Sequence, residues 1–289
     1  MDMRKKWLIV GACTLVGLAI CVGLADVILN RAFYNPYRKA EGNAVSFQET
    51  VIALVPSAEF AYTSPYLPGT PRHFSRFTQE FYCLKPSLQS DVRQGYIADG
   101  QFKYLFGKAK AVQAHAPEKP LVYSQGDYLD GTSMDTAALD GDRYYLAQIG
   151  LTTLYTADAL TSAAEDLTSR DQSAMILRAV LQTSDDKDDV ALGVAGSGIP
   201  IDVNWGNYSL SIAASHALRT LATNQREADV FIGSGLFGEI EVDFTQRLEY
   251  LESNGVQPIG MSVFAKGADL SAWVEKYDLK LLDAEADGE

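Results

Sequence analysis

The sequence predicts an α+β protein. It reads as a single N-terminal transmembrane helix followed by an extracytoplasmic mixed α/β sheet domain, built as one unit or as two subdomains. Three observations carry this. Residues Trp7 to Ala25 (WLIVGACTLVGLAICVGLA) form an apolar run without a charge. Residues 44–125 carry alternating and aromatic-rich strand patterns. From Tyr144 onward, strand-like and helix-like segments follow one another, the order that builds a sheet covered by helices.

The first element is the anchor. A hydrocarbon core of about 30 Å needs about 20 apolar residues in a helix, and Val27, Ile28 and Leu29 extend the run past Asp26. Arg4, Lys5 and Lys6 precede it, and such a cluster holds its flank in the cytoplasm. The expected layout is a cytoplasmic tip at residues 1–6, an anchor at 7–29 and everything beyond it outside. This places the protein in the cell membrane, single-pass, with an extracellular C-terminal domain. A cleaved signal peptide has a shorter apolar stretch, roughly 7–15 residues, ending in small residues. Gly23-Leu24-Ala25 fits such a site, so cleavage after Ala25 stays open. A lipoprotein would use Cys21, but Ile20 stands where a small residue belongs.

Composition narrows the partners. Removing Arg4, Lys5, Lys6, Asp2 and Asp26 leaves 21 basic against 35 acidic residues. That excess argues against nucleic acid, which needs a basic patch, and against adhesion to an anionic lipid surface. Of the 3 cysteines, Cys13 and Cys21 lie in the anchor and Cys83 stands alone outside it. No intrachain disulfide can form there, which suits a Gram-positive bacterial surface better than a stapled secreted domain. Cys83 has apolar neighbours in Phe81-Tyr82-Cys83-Leu84 and reads as core.

A polar stalk follows at residues 30–43, and then a β-rich N-terminal half at 44–125. Residues 45–63 alternate in the strand manner. His73 to Leu84 is an aromatic-rich strand or short helix, and Tyr96 to Ala114 supplies one or two strands. Gly126 to Arg143 is acidic and reads as a solvated loop between the halves. Its Asp127, Asp130, Asp135, Asp140 and Asp142 lack the spacing and the bidentate Glu of a calcium loop.

The C-terminal α/β domain spans residues 144–285. Tyr144 to Tyr155 reads as a strand, and Thr156 as the N-cap of a helix over Ala157–Leu167. Ser173 to Thr183 is a buried strand and Val190–Val194 a short one. Tyr208 to Thr223 has a helical apolar face. Ala228–Ile232 reads as a strand and Thr245 to Ser253 as a helix stopped by Asn254-Gly255. Val256–Ala265 is a strand, Asp269 begins a short helix, and Leu279–Leu282 is the last strand.

No catalytic, cofactor-binding or metal residue stands out. Gly233-Ser234-Gly235-Leu236-Phe237-Gly238 matches G-x-G-x-x-G, but a dinucleotide site needs a helix opening at the last glycine. Here Glu239-Ile240-Glu241-Val242-Asp243 alternates and brings carboxylates instead. His73, His115 and His216 are far apart, without metal-ligand spacing. No G-x-S-x-G elbow occurs. Ser215 and His216 are neighbours in a helical segment and point in different directions. Paired carboxylates for glycoside hydrolysis leave no local signal.

Three segments resemble the bacterial sigma factor regulator family, also described as anti-sigma factor C-terminal domain proteins. They are Phe33-Tyr34-Asn35-Pro36 after the anchor, Leu192-Gly193-Val194-Ala195-Gly196-Ser197-Gly198-Ile199-Pro200, and Arg247–Val256 followed by Ile259-Gly260-Met261-Ser262-Val263. Where the family usually has a Thr-Gly-Pro-like turn, this chain has Ala265-Lys266-Gly267. The resemblance covers residues 1–40 and 144–285. It implies a membrane-anchored, non-catalytic regulatory or sensory domain that influences a sigma factor. Six residues are too few for a cytoplasmic sigma-binding domain, so the expected role is an accessory acting through a membrane anti-sigma component. Two alternatives compete: a cell-envelope hydrolase, and a surface assembly or binding protein.

Overall fold

The computed structural model describes residues 3–33, 50, 51, 53–55, 59–62, 77–84, 96–105, 108–115, 122–153, 156–195, 210–237 and 239–287. Helix α1 (Met3–Phe33) comes first. Its Val10–Ile28 segment has 19 residues at a mean hydropathy of 2.1 and is not buried against the rest of the chain. That is long and apolar enough for a transmembrane or signal anchor. The helix continues through Phe33, so the stalk expected from residue 30 begins helical; residues 34–43 lie outside the described residues.

The alternation over residues 45–63 does not give one long strand. Residues 50, 51, 53 and 54 form a helical turn, closed by Val55 N–H donating to the Val51 carbonyl at 2.8 Å. Val51, Leu54 and Val55 also satisfy helical spacing, and a run this short fits both periods. The strand is confined to β1 (Glu59–Tyr62). With β2 (Phe77–Leu84), β3 (Tyr96–Leu105) and β4 (Lys108–His115) it forms an antiparallel meander in that order. Phe81, Cys83, Ala98, Phe102 and Tyr104 are buried, while Thr78, Glu80, Asp99 and Lys103 on alternate positions are exposed. A sheet with one face on the core and one in solvent has this pattern.

The acidic stretch 126–143 is folded rather than an open loop. Helix α2 (Gln125–Asp130) is closed by a capping box between Ser124 and Asp127, and a 3₁₀ turn follows at Thr136–Ala138. Then come β5 (Tyr144–Leu151), α3 (Ala157–Arg170), β6 (Met175–Leu181) and β7 (Leu192–Ala195). Three helices follow: α4 (Leu210–Thr223), α5 (Gln225–Ile232) and α6 (Phe244–Asn254). The chain ends on β8 (Pro258–Lys266), α7 (Gly267–Lys276) and β9 (Leu279–Ala286).

The second sheet has the order β7-β6-β8-β5-β9, with every pair antiparallel. The units β5-α3-β6 and β8-α7-β9 are interleaved: β8 lies between β5 and β6, and β5 lies between β8 and β9. This is the split β-α-β arrangement, with β7 added at one edge and α4–α6 inserted before β8. Trp273 of α7 is fully buried and donates its indole N–H to the Ala163 carbonyl of α3 at 2.7 Å. Ala147, Ile149, Met261 and Val263 join the main core. The alternate positions Gly150 and Gly260 face Tyr128 of α2; a side chain on Gly260 would overlap its ring.

Ala228–Ile232, expected as a strand, belongs to α5. Its buried residues Ala228, Phe231 and Ile232 follow helical spacing. Helix α5 also joins the two sheets. Phe231 lies edge-on to Phe81 with centroids 5.4 Å apart, and 5.5 Å from Phe102. The main core therefore runs from the meander through α5 into the split β-α-β sheet.

Candidate functional site

Two polar constellations emerge, one sealed and one open. The sealed one crosses the three central strands of the second sheet. Gln148 of β5 pairs with Ser262 of β8, and Ser262 pairs with Arg178 of β6. Ser262 Oγ donates to Gln148 Oε1 at 2.7 Å, Tyr128 O–H donates to the same oxygen at 3.0 Å, and Arg178 Nε donates to Ser262 Oγ at 3.1 Å. Arg178 Nη2 reaches the Tyr128 oxygen at 3.4 Å. Arg178 is only 2% exposed. Burial pushes the Tyr128 phenol up from its ordinary value, while the Arg178 guanidinium opposes the rise.

A bulge puts Arg178 there. Ile176 pairs with Val263 and Arg178 with Ser262, so Leu177 is the extra residue. Ile176 and Arg178 would share a face in a regular strand; the bulge turns them to opposite faces. Sequence reading marked Ser173 to Thr183 as a buried strand and gave Arg178 no role. The available signal was a lone Arg in an otherwise apolar run.

The open constellation is a cleft of about 960 Å³ between α5, the extended residues 240–243 and the first turn of α6. Ile232, Ile240 and Val242 line it, with Asp189, Asp229, Glu241 and Asp243 at its polar margin. Gln225 holds the extended stretch: its side-chain amide donates to the Val242 carbonyl and accepts from Phe244 N–H. Asp243 caps α6 through Thr245 and Gln246 N–H. Arg247, 4% exposed, places Nη1 2.6 Å from Asp189 Oδ2. Burial alone would raise the Asp189 pKa, but the Ser184 hydroxyl and the Arg247 guanidinium outweigh it and hold the carboxyl below its usual range.

The residues weighed from the sequence fall elsewhere. The glycine stretch opens at Gly233, just past the end of helix α5, and residues 233–237 form turns; Gly238 lies outside the described residues, and residues 239–243 carry neither helix nor strand before α6. The strand that a dinucleotide loop needs before its glycines is therefore replaced by helix α5. In the acidic stretch, Asp127 and Asp135 cap helices, and Asp140 accepts from Asp142 N–H. Asp130 pairs with Lys187 at 2.7 Å and Asp142 with Lys266 at 3.2 Å. His115 lies on the exposed edge of β4, 3.4 Å from Asp99; His216 is on the surface of α4; His73 lies outside the described residues. Cys83 is buried. No group of three metal-ligating side chains occurs among the described residues. No family model, curated protein or solved structure matches this chain.

Proposed function

We propose that this chain is a membrane-anchored, extracytoplasmic regulatory or sensory domain without catalysis. It resembles the sigma factor regulators and serves as an accessory to a membrane anti-sigma component, on the surface of a Gram-positive bacterium. The observation that carries this reading is the joining of one long apolar helix, preceded by Arg4-Lys5-Lys6, to a folded α+β part with a sealed polar network across its central strands. Arg178, Ser262, Gln148 and Tyr128 are sealed inside, and Arg247 is paired with Asp189. A regulator of this kind needs a folded outer body and a helix able to reach the membrane; the chain has a folded α+β part and one apolar helix of sufficient length, which supports the reading. The segment that carries the family resemblance, Arg247–Val256 with Ile259–Val263, falls on α6, the turn at Gly255 and the central strand β8. The acidic surface suits a basic protein partner and disfavours nucleic acid.

Two measurements test this. A photo-crosslinking residue at exposed Glu249 of α6, used in intact cells, should capture a membrane-bound anti-sigma component or its sigma factor. Capture of no specific protein would sink the regulatory role. A Glu249→Cys variant should react with a membrane-impermeant maleimide before lysis. Reaction only after lysis would place the folded part on the cytoplasmic side.

A further inference from the structure

The open cleft beside α5 has a floor and a rim of different chemistry. Ile232 and Val242 are buried at its floor, and Ile240 is half-buried. Asp229, Glu241 and Asp243 stand exposed around its mouth. Among the described residues Arg247 is the one cation in the lining, and Asp189 pairs with it. The other three carboxylates face no counter-charge within the cleft. Two of them are held in place by neutral donors. The Gln225 side-chain amide donates to Asp229 Oδ1 at 2.7 Å, and Asp243 Oδ1 accepts from Thr245 and Gln246 N–H at 3.0 Å. The same Gln225 amide donates to the Val242 carbonyl at 2.7 Å, so rim and floor are fixed relative to each other. A surface ordered in advance loses less freedom when a ligand arrives. The cleft volume, about 960 Å³, suits several side chains rather than one small ion. Its charges lie at the wet edge and its apolar surface beneath them. Lysine and arginine lay their hydrocarbon stems along such a surface and keep the charged head in water.

We propose that this cleft docks a basic segment of a protein partner, with lysine or arginine side chains meeting Asp229, Glu241 and Asp243 and an apolar side chain over Ile240 and Val242. The partner's biological role rests on the regulatory reading, but the selectivity of the cleft is a property of this chain. The probe is a fluorescein-labelled peptide, Lys-Leu-Lys-Leu-Lys. It is titrated by fluorescence anisotropy against the full chain in uncharged phosphatidylcholine nanodiscs, with empty nanodiscs as background. Binding should saturate and be at least tenfold tighter than that of Lys-Gly-Lys-Gly-Lys, which keeps the charge and lacks the apolar side chains. Glu241→Lys should weaken it at least tenfold. Asp229→Asn, which keeps an oxygen for the Gln225 amide, should weaken it at least threefold. Glu275→Lys makes the same charge change at an exposed position of α7 and should leave binding within twofold. Equal weakening by Glu241→Lys and Glu275→Lys would make the attraction a matter of overall acidity and overturn the proposal. Equal affinity for the two peptides, or no saturable binding, would overturn it as well. Hexylamine binding as tightly as the peptide would make the occupant a small amine, which also overturns it. Failure of the regulatory reading shows elsewhere, as absence of a captured protein at Glu249 in cells, and leaves these titrations unchanged.

Discussion

The Arg178 side chain lies across Gly193. A Cβ on Gly193 would sit 2.5 Å from Arg178 Cδ, 2.8 Å from Nε and 2.9 Å from Nη1. The absent side chain of one residue is the space the other occupies. Any larger residue at 193 must push the guanidinium away from Ser262 and Ala53.

Gly193→Ala should therefore destabilise the fold by about 1–3 kcal/mol, the usual cost of forcing extra volume into a packed interior. The partial loss of hydrogen bonds to a buried charge acts in the same direction. Thermal unfolding of the detergent-solubilised chain measures this. A midpoint equal to wild type would mean that Arg178 has room the packing does not show.

Gln125 holds the loop after β6. It is 1% exposed. Its amide nitrogen donates to Ser184 Oγ and the Asp186 carbonyl, both at 2.8 Å. Its oxygen accepts from Thr183 N–H at 2.8 Å. Gln125→Ala leaves these groups unsatisfied and should cost about 1–3 kcal/mol. Gln125→Glu keeps the acceptor but repels the carbonyls, so it should be no better. Recovery of full stability in Gln125→Glu would contradict the assignment of the donor.

How much of this was legible follows from period and length. Strands with a long apolar pattern, such as Val256–Ala265, read correctly because burial on both faces leaves little ambiguity. Ala228–Ile232 misread because five residues satisfy both strand and helix spacing. The turn at 50–55 misread for the same reason. Arg178 gave only the weak signal of a lone Arg in an apolar run; its inward turn comes from the bulge at Leu177, which breaks the alternation and which no local residue announces. The order of the second sheet was beyond reach, since the β7–β8 connection carries three helices and hides the split β-α-β repeat. The cleft was hidden too: Asp189 and Arg247 are 58 positions apart in sequence.

Acid should unfold this protein by protonating carboxylates that the fold prefers ionised. Asp166 is held low by hydrogen bonds from Lys276 and Arg170. At Asp171 burial opposes ionisation, but the Tyr144 hydroxyl and Ser173 N–H prevail. Asp189 behaves likewise with Ser184 and Arg247. A depressed folded pKa gives stability that is present above the unfolded value, about 3.9, and is lost as pH falls through the folded value. The thermal midpoint should drop between pH 5 and pH 3, on the order of the carboxylate range. Asp189→Asn should lower the midpoint at pH 7 and lessen the acid drop. An unchanged acid drop in that variant would remove Asp189 from the account.

Cys83 should be chemically silent in the folded chain. It is 1% exposed, and burial pushes its thiol up to about 12. The thiolate is the reactive form, so at pH 7 almost none is present. Mass spectrometry after maleimide treatment should find Cys83 modified only in denaturant. Modification under native conditions would mean that the meander opens locally.

Gly255 ends helix α6. Its N–H donates to the Leu251 carbonyl at 2.9 Å, and its backbone has φ 77° and ψ 177°. The positive φ together with this ψ places Gly255 in an extended region that only glycine enters readily. A Cβ there would meet nothing within 4 Å, so space is no obstacle and the backbone alone sets the cost. Gly255→Val should destabilise by about 1–3 kcal/mol, and Gly255→Ala by a similar amount, because both carry the same Cβ against positive φ. If α1 serves as the proposed anchor, it inserts independently of this turn, and the fraction of chain in the membrane should not change. Thermal unfolding together with membrane fractionation separates the two effects. If Gly255→Val melts at the wild-type temperature, the turn between α6 and β8 tolerates another backbone path, and the positive φ at Gly255 is not what fixes it.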